Sequence, residues 1–178
     1  MGEIGELLRP EPLADHHDIA EFRCGEASLD DWLNRRARAN QVSGATRTYV
    51  ACRGKRVVGY YALASGVVAV ESVPGRFRRN MPAPIPVAVL ARLAVDRDWQ
   101  GRGLGRALFR DAAHRVAHAA DAIGIRGIVV HAISEEVKEF YLSLGFDASP
   151  SEPMTLMATL SDIRAALSQK PGDPFALS

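Results

Sequence analysis

The sequence predicts a mixed α/β fold, and three stretches carry that prediction. Thr46 to Cys52 and Arg56 to Ser65 are β-rich runs on either side of Arg53-Gly54-Lys55, a hairpin pattern. Val87 to Val95 is apolar apart from Arg92, as in a strand buried on both faces. A long helical pattern then leads to a second apolar run, Ile128 to Ala132. A helix joining two strands makes them parallel neighbours.

The remaining elements follow in order. Leu7 to Leu13 reads as a short first strand, confined to a sheet edge by Pro10 and Pro12. Asp15 to Gly25 is irregular. Ser28 stands where an N-cap would, with Asp31 three residues on, and Leu29, Trp32, Leu33 and Ala37 recur at helical spacing. This predicts one amphipathic helix from Ser28 to Asn40, with Gly44 ending the pattern. Val67 to Val70 extends the second hairpin strand. Glu71 to Pro86, rich in proline, reads as a surface loop carrying Arg76-Phe-Arg-Arg79.

Beyond the strand at Val95, Leu104, Leu108, Ala112, Val116, Ala119 and Ile123 share one helical face, ended by Gly124 or Gly127. Ser134 caps a further helix with Glu135 and Glu136 in its first turn, and Gly145 closes it. Phe146 and Thr155 to Leu160 supply the last strand material, and Ser161 to Leu167 a final short helix. There is no internal repeat and no linker, so residues 1–167 read as one domain and 168–178 as a flexible tail.

Composition narrows the function classes. A chain of 178 residues, 47% hydrophobic and 24% charged, has the ordinary balance of a soluble globular protein. Cys24 and Cys52 match no metal or redox spacing, so free thiols in a reducing cytoplasm are expected, with a single disulfide left open. Met1 to Glu11 has no apolar core, and the near-apolar run Tyr60 to Val70 is too short to cross a bilayer. Glu6 stands where a myristoylation signal wants Ser or Thr. A cytoplasmic protein with no membrane partner is the expectation. Net charge is only +1, yet Arg76 to Arg110 holds eight arginines against Asp96 and Asp98. That local excess suits a polyanion: cofactor phosphates, a nucleic-acid backbone, or both.

The residues with the clearest chemistry are Gln100-Gly-Arg-Gly103-Leu-Gly105. Three glycines at the entrance of a helix need a reason, because each costs about 1 kcal/mol relative to Ala inside one. They let the backbone bend tightly and bring successive N–H groups, with the positive end of the helix dipole, onto one point. Such an elbow holds phosphate, and Arg102 and Arg106 add charge. The G-x-G-x-G spacing, with no acid after the second strand, speaks against a dinucleotide fold.

Strand, elbow and helix together resemble the acyl-CoA-binding core of the GCN5-related N-acetyltransferase (GNAT) family. Leu93-Ala-Val95 stands at family distance before the elbow, and Glu139-Phe-Tyr141-Leu-Ser-Leu-Gly145-Phe146 is similar to the family's C-terminal block. The likeness runs from about Leu7 to Leu167. It is strongest to one branch, the toxins of bacterial toxin–antitoxin pairs that acetylate aminoacyl-tRNA. Asp31-Trp-Leu33, Asn40-Gln41, Ser43-Gly44, Arg47-Thr48, Gly59-Tyr-Tyr-Ala-Leu63, Arg92-Leu-Ala-Val-Asp96 and Pro153-Met-Thr-Leu-Met157 look like that branch.

The resemblance implies a GNAT-like domain: a central, mostly antiparallel sheet with a splayed parallel strand pair and flanking helices. It implies acetyl-CoA as co-substrate and no metal. Leu93, Ala94 and Val95 would pair with the pantetheine arm, and Gln100, Gly101, Arg102, Gly103, Leu104, Gly105 and Arg106 would hold the pyrophosphate. Taken alone, Tyr141 is a core aromatic with its hydroxyl reaching outward. The resemblance identifies it instead with the acid that protonates the departing CoA thiolate. The implied partners are aminoacyl-tRNA and a ribbon-helix-helix antitoxin, and a homodimer is compatible with them.

Two further points come from chemistry. No carboxylate or histidine stands out as a general base. An α-amino group, with pKa about 7.7–8.0, needs none, whereas a lysine at about 10.4 would. That favours charged tRNA as acceptor. Arg76, Arg78, Arg79 and Arg92 are the candidates to hold it, with Arg35 and Arg36 second, since phosphate contacts ask only for charge and reach. His114 and His118, four apart on a helix, lack a third ligand and read as solvated residues. An acetyltransferase for a small amine or a protein N-terminus, and a silent CoA or nucleic-acid binding module, are the rival readings.

Overall fold

The structure is a computed structural model that describes residues 7–169. The tail expected over 168–178 therefore lies outside the described residues from position 170 onward. The strands are β1 (Glu11–Pro12), β2 (Arg47–Arg53), β3 (Arg56–Val68), β4 (Ile85–Val95), β5 (Gly127–His131), β6 (Asp147–Ala148) and β7 (Thr155–Thr159). The helices are α1 (Ala27–Arg35), α2 (Ala37–Ser43), α3 (Gly75–Arg78), α4 (Leu104–Ala119), α5 (Glu135–Ser143) and α6 (Leu160–Ser168).

The strands form one sheet in the order β1-β2-β3-β4-β5-β7-β6. β4 and β5 are parallel, while β1–β2, β2–β3, β5–β7 and β6–β7 are antiparallel, the mixed architecture expected. The parallel pairing spans Ala88–Leu90 against Ile128–Val130, and β4 runs on to Val95. No helix among the described residues is long and apolar enough to cross a membrane.

Contacts divide the described chain into two compact units. The first joins residues 7–63 to Arg92–Ala112, and its core includes Leu13, Phe22, Leu33, Val50, Tyr60 and Ala94. The second joins Ala64–Ala91 to Ala113–Gln169, with Val73, Phe77, Ile85, Val87, Val129 and Met157 packed at its centre.

Five local expectations are corrected. The helix expected from Ser28 to Asn40 is two, broken at Arg36, where φ is −120°. Beyond the break, Arg38 donates to the carbonyls of Asp15 and His17 at 3.5 and 2.6 Å. Ser28 is not the cap. Glu26 holds that position, and the Ser28 hydroxyl donates to its Oε1 at 3.2 Å.

Glu71 to Pro86 is more than a surface loop. It contains α3 and buries Val73, Phe77 and Ile85, whose apolar spacing is interrupted by proline. The long helix α4 stops at Ala119, which leaves Ile123 59% exposed beyond it. Gly127 opens β5 rather than ending a helix. A Cβ there would lie 2.0 Å from the Ala158 carbonyl oxygen, so only glycine allows β7 this close.

Candidate active site

The elbow is built from the end of β4. Asp96 follows Val95 and is 1% exposed despite its charge. Its Oδ1 accepts the N–H of Asp98 at 3.0 Å, its Oδ2 accepts that of Arg23 at 3.1 Å, and Arg56 stands 3.7 Å away. A buried carboxylate survives only with such partners. The Asp96 N–H donates to Val58 at 2.8 Å, and that of Arg97 to Arg23 at 2.8 Å, so the turn is anchored to two other segments. Gln100 adds a third anchor, donating from Nε2 to the carbonyls of Val95 and Cys24 at 2.9 and 2.7 Å.

From there the backbone turns through Gly101 and Gly103, at φ +76° and +83°. These are left-handed conformations that cost a side-chain-bearing residue roughly 1–2 kcal/mol. A Cβ at either would meet nothing within 4 Å, so the backbone there is open to approach. Gly105 already lies inside α4. Arg102 sits over the Trp99 ring at 5.0 Å, and both Arg102 and Arg106 are exposed. Leu104 is buried, and a Cβ on Gly59 would meet Leu108 at 2.9 Å, which seats the start of α4 tightly on β3. Of the three β4 residues expected to face pantetheine, Ala94 is buried and Leu93 and Val95 are half-buried.

Tyr141 lies in the second unit, on α5. The Ser134 hydroxyl caps this helix, accepting from Val137 N at 3.2 Å, and Gly145 follows it at φ +95°. Both were legible in the sequence. Tyr141 is 5% exposed, with its ring 5.1 Å from that of Phe140 and 5.4 Å from that of Phe146. Burial raises the phenol above its usual range, because the phenolate would be poorly solvated.

The candidate arginines fall in different surroundings. Arg92 lies over Trp32 at 5.2 Å, and Trp32 stacks on Tyr60 at 5.9 Å with an interplanar angle of 8°. Arg78 and Arg79 are exposed. Arg76 is paired with Asp162 through two contacts and stands 4.0 Å from Asp147. Sequence reasoning missed Asp96 as the anchor of the elbow. Its one signal was an isolated acid closing an apolar strand.

Among the described residues, one group has the spacing of metal ligands: Glu11, His16 and His17. His17 Nδ1 accepts the Ala14 N–H at 2.9 Å, so the ring proton is on Nε2 and is donated to Glu11 Oε1 at 2.6 Å. Cys24 and Cys52 are free, and burial pushes their thiols up to about 11 and about 12 respectively.

Residues 44–148 match the family described as Acetyltransferase (GNAT) domain. The chain belongs to the GCN5-related N-acetyltransferase family. A tRNA-acetylating toxin of Mycobacterium tuberculosis is 53% identical to this GNAT chain over 158 residues, 89% of this chain and 95% of the relative. A probable toxin, TacT, of Sinorhizobium fredii is 30% identical, covering 88% of this chain and 93% of the relative. Among solved structures, AtaT complexed with acetyl-methionyl-tRNAfMet superposes with a TM-score of 0.82 at 31% identity, covering 88% of this chain and 96% of that one.

Proposed function

We infer that this GNAT chain transfers the acetyl group of acetyl-CoA to the α-amino group of aminoacyl-tRNA, and so blocks translation as a toxin. One observation carries the reading: 53% identity over 89% of the chain to a tRNA-acetylating toxin. Likeness to AtaT, known in complexes with antitoxin AtaR, acetyl-CoA and acetyl-methionyl-tRNAfMet, supports the same co-substrate, acceptor and kind of partner. The partner is a cognate antitoxin, and the site of action is the cytoplasm, where charged tRNA is found.

Acetyl-CoA supplies the activated acetyl group as a thioester. Residues 100–106 fit its pyrophosphate: the backbone at Gly101 and Gly103 is unobstructed and leads into the N-terminus of α4. Leu93, Ala94 and Val95 lie beyond the end of the β4–β5 register at Leu90, where backbone is assigned to the extended amide chain of the cofactor. Backbone N–H groups stabilise the oxyanion formed when the amine attacks. Tyr141 donates its phenolic proton to the leaving thiolate, and water takes the proton from the amine. Burial keeps the Tyr141 phenol protonated, the form an acid needs before it acts. Arg78, Arg79 and Arg92 are assigned to the tRNA.

The decisive experiment incubates bulk aminoacyl-tRNA with enzyme and isotopically labelled acetyl-CoA, then examines the nucleoside-linked amino acids by mass spectrometry. Label on the α-nitrogen of one or more aminoacyl-adenosines is the expected result. Acetylation confined to free amines or protein N-termini would replace this reading with a housekeeping acetyltransferase.

A further inference from the structure

The sequence places Arg76, Arg78 and Arg79 together as equivalent basic residues. The structure makes them unequal. Arg76 reaches Asp162 through two contacts, with Asp147 at 4.0 Å. Asp162 is held in place at the start of α6, where its N–H donates to Thr159 Oγ1 at 3.2 Å.

Arg126 works on the other side of the same helical turn. Its Nε donates to the Phe77 carbonyl and its Nη2 to that of Arg76, both at 2.7 Å. These are last-turn carbonyls of α3, the groups a helix leaves without internal partners. The guanidinium also lies 5.9 Å from the centre of the Phe77 ring, which is itself 2% exposed. Arg126 is fixed at its own backbone too. Its N–H donates to Pro86 and its carbonyl accepts from Leu160, both at 2.9 Å.

Arg76 is paired with Asp162 and Asp147, and Arg126 is turned onto backbone carbonyls, which leaves the exposed Arg78 and Arg79 as the outward charge of the turn. A four-residue helix has too few internal hydrogen bonds to persist alone. The Arg126 fork and the buried Phe77 are what give it one orientation.

We propose that α3 is a rigid presenter of two phosphate-binding side chains, Arg78 and Arg79, and that Arg126 is the residue that positions it. Arg76 is spent within the fold. This deepens the proposed function, because the polyanion it fits is the tRNA backbone. Lysine at position 126 would keep the charge but lose the planar fork that reaches two carbonyls.

The test separates binding from turnover. Affinity for unacylated tRNA is measured against salt concentration for the wild-type protein and for R76A, R78A and R79A. The slope of log K against log salt is expected to fall by ~1 in R78A and in R79A and to hold in R76A. In steady-state acetylation, R126K should raise the KM for aminoacyl-tRNA several-fold, with kcat and the KM for acetyl-CoA unchanged. A merely destabilising change would move all three.

An equal fall in slope for R76A and R78A, or an unchanged tRNA KM in R126K, overturns the proposal. Salt-dependent tRNA binding without acetylation of charged tRNA would reject the proposed reaction while the slope comparison still decides the role of α3. Absence of salt-dependent tRNA binding rejects both.

Discussion

The Asp96 carboxylate accepts the backbone N–H of Arg23 at 3.1 Å, tying the end of β4 to a segment 73 residues earlier in the chain. The same carboxylate holds the Asp98 N–H, so one buried acid both closes the 3-10 turn at Arg97–Trp99 and anchors it. The elbow takes part of its position from that pair of bonds.

Replacing Asp96 by alanine would strand two backbone donors, each worth about 1–3 kcal/mol when left unsatisfied in the interior. We expect Asp96→Ala to lower unfolding stability by about 2–4 kcal/mol, read by urea denaturation. The KM for acetyl-CoA should rise at the same time, because the elbow loses its anchor. A variant with native stability and native KM would show that the turn is held by other contacts.

Gly101 and Gly103 separate backbone strain from steric clash, since a methyl group at either meets nothing within 4 Å. Gly101→Ala and Gly103→Ala should each cost about 1 kcal/mol through the positive φ alone. Isothermal titration should show weaker acetyl-CoA binding in both, with the far-ultraviolet circular dichroism unchanged. Unaltered affinity would place the pyrophosphate elsewhere.

Tyr141→Phe keeps the buried ring and its contacts with Phe140 and Phe146 while removing the proton. Acetyl-CoA affinity should be retained and turnover should fall by about 10²–10⁴-fold, the usual contribution of a positioned acid. The direction of the pKa shift adds a check. An acid must be protonated to act, and burial moves the ionisation of Tyr141 upward. The wild-type rate should therefore show no alkaline fall assignable to this phenol at about pH 10, where an exposed tyrosine ionises. Equal turnover in Tyr141→Phe would remove it from the mechanism.

Stability should decline on the alkaline side for a related reason. Burial raises the Cys52 thiol from 9.0 to about 12 and the Cys24 thiol from 9.0 to about 11, with Tyr60 and Tyr141 raised as well. A folded-state pKa above the unfolded one gives stability that is complete below the unfolded value. It is lost as pH rises towards the folded value, because the unfolded chain sheds the proton first. Urea midpoints should be level up to about pH 8.5, the intrinsic thiol range, and fall above it. Cys52→Ala should flatten the fall over its first units. A midpoint that rises between pH 9 and 10 would contradict the assignment.

The elements with local signatures were legible before any coordinates. The hairpin around Gly54, the buried run of β4, the Ser134 cap, Gly145 and the glycine elbow each depend on residues within a few positions of one another. Their physics is that of backbone propensity and capping, which the chain carries in its own order. The break at Arg36, the burial of Phe77 and the early end of α4 were not legible, because each answers to a distant partner. Arg38 turns towards His17, Phe77 enters a core completed by Met157, and Ile123 falls beyond the helix altogether.

The same division holds for function. The sequence by itself determined the glycine elbow at the entrance of a helix and the family resemblance, which singles out Tyr141, since each is a matter of residue type at fixed spacing. Tertiary structure alone decided which charges are spent and which are offered. Asp96 became an anchor by being buried against Arg23 and Arg56, and Arg76 became part of an ion pair because α6 brings Asp162 to it. Whether a charge is available to a ligand depends on what folding places beside it, and one-dimensional order does not contain that neighbour.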